Sequence, residues 1–548
     1  MNEPRNILDM LQNSAKNYGN RIALSEFENG ELIEISFAKL NDLARRQCIF
    51  LKMHGGKPGS NIAISGPNSI DWVIRFFSII YAGCTVVPID PKLNAKSVEF
   101  ILGFTNCSSF FIDDPSKVHQ KYRDITSTIK VGWEPDRPSM VLQLEDIREE
   151  TGESLIKKYD FDYGNPVQIT EDSIAEILFT SGTTGDPKGV MLSHKNLMSN
   201  VIDIKKIVSY DDKETSFSIL PLHHVYELTG GLLNNIYNGN TVHFCSKIDL
   251  PTMSKEMKIV QPSIWPVVPL ILEKIYKGIK KSLEESLVRR ALFYVAPKLF
   301  GKLVKHKIGL DKIKFILCGG AALNEEIERF LDKIGVKIVQ GYGLSEASPL
   351  ISVNPPTKVK FGSVGKIIKS CSVELRDKND EGHGIIFAKG PNIFLGYYKN
   401  PESTNDVLKD GWLDTGDIGY LDDEDYLYIT GREKFVIVNK GGKNIYPEEI
   451  EEHLKTSNLV KDSVVFSSDD KNIIVIIQPE ELVFKNRHLD EVKKIIYDCV
   501  LDTNKQLESY KRINKVYITT NDFKKTSTQK IKRDFLRDFK STDYILAN

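Results

Sequence analysis

Between Lys312 and Glu346 the chain spells out a strand, a tight loop, a helix and a second strand, an order that restricts the fold more than any other stretch. Ile313 to Cys318 is an apolar run of strand length. Gly319, Gly320 and Ala321 supply the loop, and Asn324 is placed to cap a helix bearing Ile327, Phe330, Leu331 and Ile334. Val336 to Val339 then reads as a strand parallel to the first, since a helical crossover returns the chain in the same direction. It delivers Gln340, Gly341, Tyr342, Gly343, Leu344, Ser345 and Glu346 at its carboxyl end, where open parallel sheets hold their ligands. Asn61 to Ser65, Ser69 to Ala82 and Cys84 to Asp90 repeat the order of strand, helix and strand. This alternation predicts an α/β protein.

A chain of 548 residues with 41% hydrophobic composition can bury more than one core. A boundary falls near Thr430 to Phe435. Beyond it lie a helix over Pro447 to Lys455, strands over Ser463 to Phe466 and Asn472 to Gln478, and a helix over Leu489 to Gln506. The expected architecture is a large N-terminal domain over 1–431, built of layered, mostly parallel sheets with helices. A hinge at 432–435 and a small, mobile α+β C-terminal domain over 436–548 complete it.

Phe179 to Val190 brings Thr180, Ser181, Thr183 and Thr184 together with Gly182, Gly185, Lys188 and Gly189. Glycines let backbone N–H groups turn toward an anion, hydroxyls add donors and lysine adds charge, so the run is suited to a polyphosphate. It is not a Walker A loop, whose Gly-Lys-Ser/Thr ending is missing. Ile174 to Phe179 predicts a strand before it. Ser193, with Leu197, Val201, Ile204 and Val208, predicts a helix start after it.

The formal net charge is −1, so no global field recruits nucleic acid. Seven scattered cysteines without a Cys-x-x-Cys pair argue for reduced thiols rather than disulfides or a zinc site. The N-terminus does not read as a signal peptide, and the apolar stretches are interrupted by Arg or Lys before reaching about 18 residues. The expected location is cytoplasmic, with peripheral contact on the inner face of the membrane as a further option.

Together these motifs resemble, in the same order along nearly the whole chain, the adenylate-forming superfamily of acyl-CoA synthetases, peptide-synthetase adenylation domains and luciferases. Gly66 to Ser69 and Pro88 to Pro91 also match its early motifs and read as turns without chemistry. The resemblance implies ATP, Mg²⁺ and CoA as cofactors. Joining a carboxylate to ATP brings two anions together, so the site must neutralise charge and align the attacking oxygen. By resemblance, Thr180, Ser181, Gly182, Thr183, Thr184, Gly185 and Lys188 embrace the phosphates, and Glu346 with Thr184 holds the magnesium. Asp417, in the run Gly411 to Tyr420, takes the ribose hydroxyls, and Arg432 assists at ribose or phosphate. Tyr342 stacks on adenine, with Gly319, Gly320 and Ala321 as the opposite wall and Gly341, Gly343 and Ser345 beside it. Lys530 reaches the acyl carboxylate and the α-phosphate. In the thioester-forming state Gly441, Gly442 and Lys443 face the site and open a path for the pantetheine arm, after rotation about the hinge.

Pro221 to Gly231, with His223, His224, Tyr226 and Glu227, is most like the acyl-pocket motif of long-chain fatty acid–CoA ligases of bacteria. His224 would stand near the carboxylate, although a satisfied core histidine explains it equally well. Gly230 and Gly231 would leave room for an alkyl chain, which binds at about 0.8 kcal/mol per buried methylene. The insert 270–312 is strongly basic and amphipathic, with twelve Lys and Arg against three acidic residues over Lys274 to Lys314. Leu292, Phe293, Tyr294, Leu299, Phe300 and Leu303 interleave with them. The insert reads either as a hairpin packed on the large domain or as a surface that dips into a bilayer. Three departures stand out: Phe435 in the hinge, Ser345 where Thr is common and Gln529 before Lys530. The expected function is activation of a fatty acid to acyl-AMP and transfer to CoA. The rivals are an acyl-AMP ligase, a ligase whose partner is an acyl carrier protein, and an inactive nucleotide-binding protein.

Overall fold

The computed structural model describes residues 3–53, 56–112, 168–180, 187–208, 213–438, 443–467, 472–485, 487–525 and 531–547. Two sheets dominate. The six-stranded one runs Gly396–Tyr397, Lys188–Ser193, Ile174–Thr180, Thr85–Ile89, Asn61–Ser65, Ser109–Ile112. Its first pairings are antiparallel, and those from Ile174–Thr180 onward are parallel. Helix Ile70–Tyr81 connects two of the parallel strands, and the Ser69 hydroxyl accepts the Trp72 N–H at its start. Trp72, Phe76 and Phe77 are wholly buried between this helix and the sheets.

The second sheet has fourteen strands. Strands Ile338–Gly343, Phe315–Cys318, Ile264–Val267, Thr215–Ser218, Thr241–Phe244 and Ile22–Glu28 are parallel neighbours. Every pairing within 341–432 is antiparallel. The parallel character is therefore confined to the helix-covered centres, because only helical crossovers produce it. Ile338–Gly343 belongs to both regimes: Ile338, Val339 and Gln340 pair parallel with Ile316, Leu317 and Cys318, while Gly341 and Tyr342 pair antiparallel with Val353 and Ser352. Gly343 is needed at this junction, since a Cβ there would stand 1.8 Å from the Pro349 carbonyl oxygen.

Residues after 436 carry their own apolar cluster, from Ile437 and Ile450 to Val516 and Ile518. It lies between helices Pro447–Lys455 and Leu489–Gln506 and the four strands Val460–Ser467, Ile473–Pro479, Lys515–Ile518 and Ile545–Leu546. All seven cysteines are free thiols. No helix among the described residues is long and apolar enough to cross a membrane.

The basic insert folds as three helices, Pro269–Glu284, Leu287–Val295 and Pro297–Ile308. They dock through Tyr276 and Phe293 against Phe330, with Phe293 stacked on the Phe330 ring at 5.2 Å and Phe300 edge-on to Phe293. Gly301 permits the close approach, since a Cβ there would lie 1.7 Å from the Ile334 carbonyl oxygen. The opposite face leaves Leu287, Val288, Tyr294, Val295, Leu299 and Leu303 between 53% and 85% exposed.

Candidate functional site

The segments flanking the hydroxyl-rich run are the expected ones, a strand over Ile174–Thr180 and a helix capped by Ser193. Thr180 and Lys188 face each other at the end of a β-hairpin formed by Ile174–Thr180 and Lys188–Ser193. The helix His194–Ile207 starts only after the second strand, where the Ser193 hydroxyl and Asn196 form a capping box. Lys188–Ser193, which leads into that helix, is a strand. Among the described residues, a strand and not a helix N-terminus stands at Lys188. Ser181, Gly182, Thr183, Thr184 and Gly185 lie outside the described residues.

Lys188 points at Tyr397, with Nζ 4.9 Å from the ring centroid. The Tyr397 hydroxyl donates to Glu346 Oε1 at 2.8 Å. Burial first, and then the Glu346 charge, push the Tyr397 phenol far above its ordinary pKa, so it remains a donor at neutral pH. Glu346 sits in the short 3₁₀ turn Ser345–Ala347 that follows the Ile338–Gly343 strand, and its carbonyl accepts the Phe394 N–H at 2.9 Å. Lys188 and Glu346, distant in sequence, are thus joined by a residue that no sequence motif singled out. Glu346 presents the hard carboxylate oxygens that magnesium prefers.

The second cluster centres on Asp417, 5% exposed. Tyr342 donates its hydroxyl to Asp417 Oδ2 at 2.7 Å, and Arg432 Nε lies 2.9 Å from Oδ1. Asp417 and Arg432 are register partners in adjacent antiparallel strands, so the backbone itself sets the pair. Burial and the Asp417 carboxylate raise the Tyr342 phenol well above its ordinary pKa. Gly319 adjoins Gly341: its Cβ position would lie 3.3 Å from the Gly341 carbonyl oxygen and 3.6 Å from the Tyr226 ring. Gly320 adopts φ +83°, a conformation that favours glycine, and carries the loop through Ala321 toward the Asn324 cap. The strand end from Gly341 to Glu346 joins the two clusters.

The histidine pair stands on a turn that the early motifs hold. Asn68 donates to the Leu220 carbonyl at 2.6 Å and to Ser218 Oγ at 3.1 Å, and accepts the Leu222 N–H at 2.9 Å. Asp90 Oδ1 lies 3.8 Å from His223 Nε2. The motifs read as plain turns therefore position His223 and His224, whose rings are 4.5 Å apart. Burial lowers the pKa of both rings, and both are neutral at pH 7. Nε2 of His224 is buried with no hydrogen-bond partner among the described residues.

The room expected at Gly231 is already filled. Tyr226 to Leu233 is a π-helix, and a Cβ on Gly231 would stand 2.5 Å from the Glu227 carboxyl. A Cβ on Gly230 would touch the Tyr226 ring at 3.6 Å. The π turn thus sets Glu227 beside Gly231 and Tyr226 beside Gly230. Glu227 is wholly buried, accepts the Ser218 hydroxyl at 2.5 Å, and has its pKa raised by burial to about 8.

Of the C-terminal candidates, Lys443 lies over the Tyr510 ring at 4.5 Å, within its own unit. Tyr446 and Glu448 reach Gly431, with Glu448 Oε2 3.1 Å from where a Cβ would be. Gly441, Gly442 and Lys530 fall outside the described residues. At the hinge, the Arg533 guanidinium covers the Phe435 ring at 4.5 Å and pairs with both Glu451 oxygens, at 2.8 and 2.7 Å. This gives the unusual Phe435 a partner.

The strand-end nucleotide geometry and the paired carboxylate clusters define an adenylate-forming enzyme of the acid–CoA ligase class. The chain belongs to the AMP-binding enzyme family, whose model matches residues 11–398, with the AMP-binding enzyme C-terminal domain matching 434–543. It is 30% identical to a long-chain-fatty-acid–CoA ligase of Bacillus subtilis over 85% of this chain and 83% of the relative. It is also 29% identical to an oxalate–CoA ligase of Arabidopsis thaliana, covering 96% of each. The solved O-succinylbenzoate–CoA synthetase of Bacillus subtilis, in complex with ATP and magnesium, superposes with a TM-score of 0.75 at 23% identity, over 96% of this chain and 99% of that one. That last likeness carries the fold.

Proposed function

We propose that this protein uses ATP and Mg²⁺ to convert a long-chain fatty acid to its acyl-AMP, releasing pyrophosphate, and then transfers the acyl group to the thiol of CoA. The observation that carries this reading is the strand end Gly341 to Glu346. It links a cation and carboxylate suited to a magnesium triphosphate with a carboxylate suited to a ribose diol. In the first step a carboxylate oxygen of the acid forms a bond to the α-phosphorus and the bond to pyrophosphate breaks. Lys188 offsets charge at the phosphates, Asp417 and Arg432 fix the ribose, and Lys530 stabilises the oxygen between acyl group and phosphorus. Magnesium would be held by Glu346 with Thr184 and would neutralise the phosphate oxygens. In the second step the CoA sulfur attacks the acyl carbonyl and AMP departs.

His224, neutral and with a free ring nitrogen, would accept or donate one hydrogen bond beside the acid. Its neutrality makes it a positioning group rather than a counter-charge. Residues 1–431 would form the large domain and 436–548 the small one, rotating about 432–435 between the two steps. The exposed apolar face of the insert, flanked by Arg289, Arg290, Lys298 and Lys302, supports collection of the acid from an anionic lipid surface.

The test is pyrophosphate release across acids of graded chain length, with and without CoA. Release with long-chain acids and a CoA-dependent thioester are expected. Response to oxalate or aromatic acids alone would overturn the substrate class, and turnover onto a carrier protein but not CoA would favour that acceptor. Lys530→Ala should abolish acyl-AMP formation while leaving thioester formation from supplied acyl-AMP largely intact. Equal loss in both steps would contradict the two-state scheme.

A further inference from the structure

We infer that Tyr397 is a positioning residue for the nucleotide site, holding the Glu346 carboxylate in place for a divalent cation and storing the Lys188 ammonium on its ring until a polyphosphate claims it. The inference rests on the reading of Lys188 and Glu346 above and adds a residue to it. Tyr397 touches both groups, through different parts of one side chain: its hydroxyl donates to Glu346 Oε1 at 2.8 Å, and its ring face lies 4.9 Å from Lys188 Nζ.

Its backbone is fixed independently of those contacts. Gly396 and Tyr397 pair with Met191 and Val190, and Tyr398 donates to the Gly189 carbonyl at 2.7 Å. The Tyr397 N–H is accepted by Thr404 Oγ1 at 2.8 Å, and Gly396 adopts φ +131° so that the strand can pass Thr404. Phe394 ties the same segment to Glu346 through its N–H and packs edge-on against the Tyr397 ring at 5.0 Å. A rigidly held phenol that donates to one carboxylate oxygen leaves the other to a cation, and reduces the rotamer freedom that the carboxylate would lose on binding. A cation over a ring is held more weakly than one on a phosphate, so the lysine is released when the anion arrives.

The two contacts can be separated by calorimetric titration of ATP into the full-length protein, with Mg²⁺ and with EDTA. Tyr397→Phe keeps the ring and loses the hydroxyl. It should weaken ATP binding about tenfold in Mg²⁺ and leave binding in EDTA unchanged, the size expected for one hydrogen bond to a charged group. Tyr397→Leu should weaken binding in both conditions. Tyr397→Phe added to Glu346→Gln should cost little more than Glu346→Gln alone. Equal effects of Tyr397→Phe with and without Mg²⁺, or none in either, would overturn the inference while leaving the ligase reading intact. Failure of the unaltered protein to bind ATP at all would sink both.

Discussion

At the residue scale, one large environmental cost falls on a group outside the motifs. Glu176, in the strand Ile174–Thr180, is wholly buried, and neither carboxyl oxygen has a hydrogen-bond partner among the described residues. Burial raises its pKa from 4.5 to about 8, and Glu227 is raised likewise. Between those two pH values the folded protein keeps a proton on each carboxyl that the unfolded chain has lost. Their stability contribution is therefore fully present below about pH 4.5 and is lost as pH rises toward 8, by up to about 1.4 kcal/mol per pH unit for each group. Denaturant midpoints should fall from pH 5 to pH 8, and Glu176→Gln should flatten that fall. An unchanged slope in the variant would show that Glu176 is ionised in the fold. The sequence disclosed Asp417 and Arg432 because they sit in short local motifs, and strand register then pairs them. It could not disclose Tyr397 or Glu176, whose significance arises from what distant segments pack around them. Asn68 and Asp90 fall between these cases: their motifs were visible, but their hold on the histidine turn needed the fold.

At the scale of elements, patterning identified most units and missed one kind of connection. Helices Ile70–Tyr81, His194–Ile207, Glu325–Lys333 and Leu489–Gln506 stand where capping and 3.6-residue periodicity placed them. Lys188–Ser193 escaped notice because a short apolar run beside a strong N-cap is equally compatible with the approach to a helix. The antiparallel strands within 341–432 were under-read for a related reason: alternation marks a strand without telling its partner's direction. The insert is docked through Phe293 and Phe300 and exposes Val295 and Leu299 on the other face. Aliphatic side chains exposed beside basic ones match an anionic bilayer, to which each Lys or Arg adds about 1 kcal/mol. Full-length protein should co-sediment with vesicles containing phosphatidylglycerol and much less with phosphatidylcholine alone. Exchanging Lys298, Lys302 and Lys305 for Glu should reduce binding by about tenfold or more. Val295→Ser with Leu299→Ser should reduce it at all salt concentrations. Unchanged sedimentation of both sets would end the membrane proposal.

At the scale of the whole molecule, polar contacts among the described residues join the large sheet-bearing part to the residues after 436. Lys277, in the insert's first helix, donates to the Val460 carbonyl at 2.9 Å and pairs with Glu480 at 3.0 Å. Asn324 donates to the Glu452 carbonyl at 3.1 Å. Glu452 itself is partly buried, and its pKa is raised to about 7 by desolvation, with Glu273 adding to the rise. The present orientation also sets Tyr446 and Glu448 against Gly431, beside Arg432, which suits the thioester-forming step of the proposed cycle. Lys277→Ala removes one hydrogen bond and one partly exposed ion pair, together about 1 kcal/mol. It should therefore slow thioester formation from supplied acyl-AMP by about two- to fivefold while sparing acyl-AMP formation. Asn324→Ala should act in the same direction, because it loosens the same contact without touching substrate. Single-turnover measurements of each step decide the matter: slowing of acyl-AMP formation alone would assign this orientation to the first step, and equal slowing of both would show that the contact stabilises the fold and does not select an orientation.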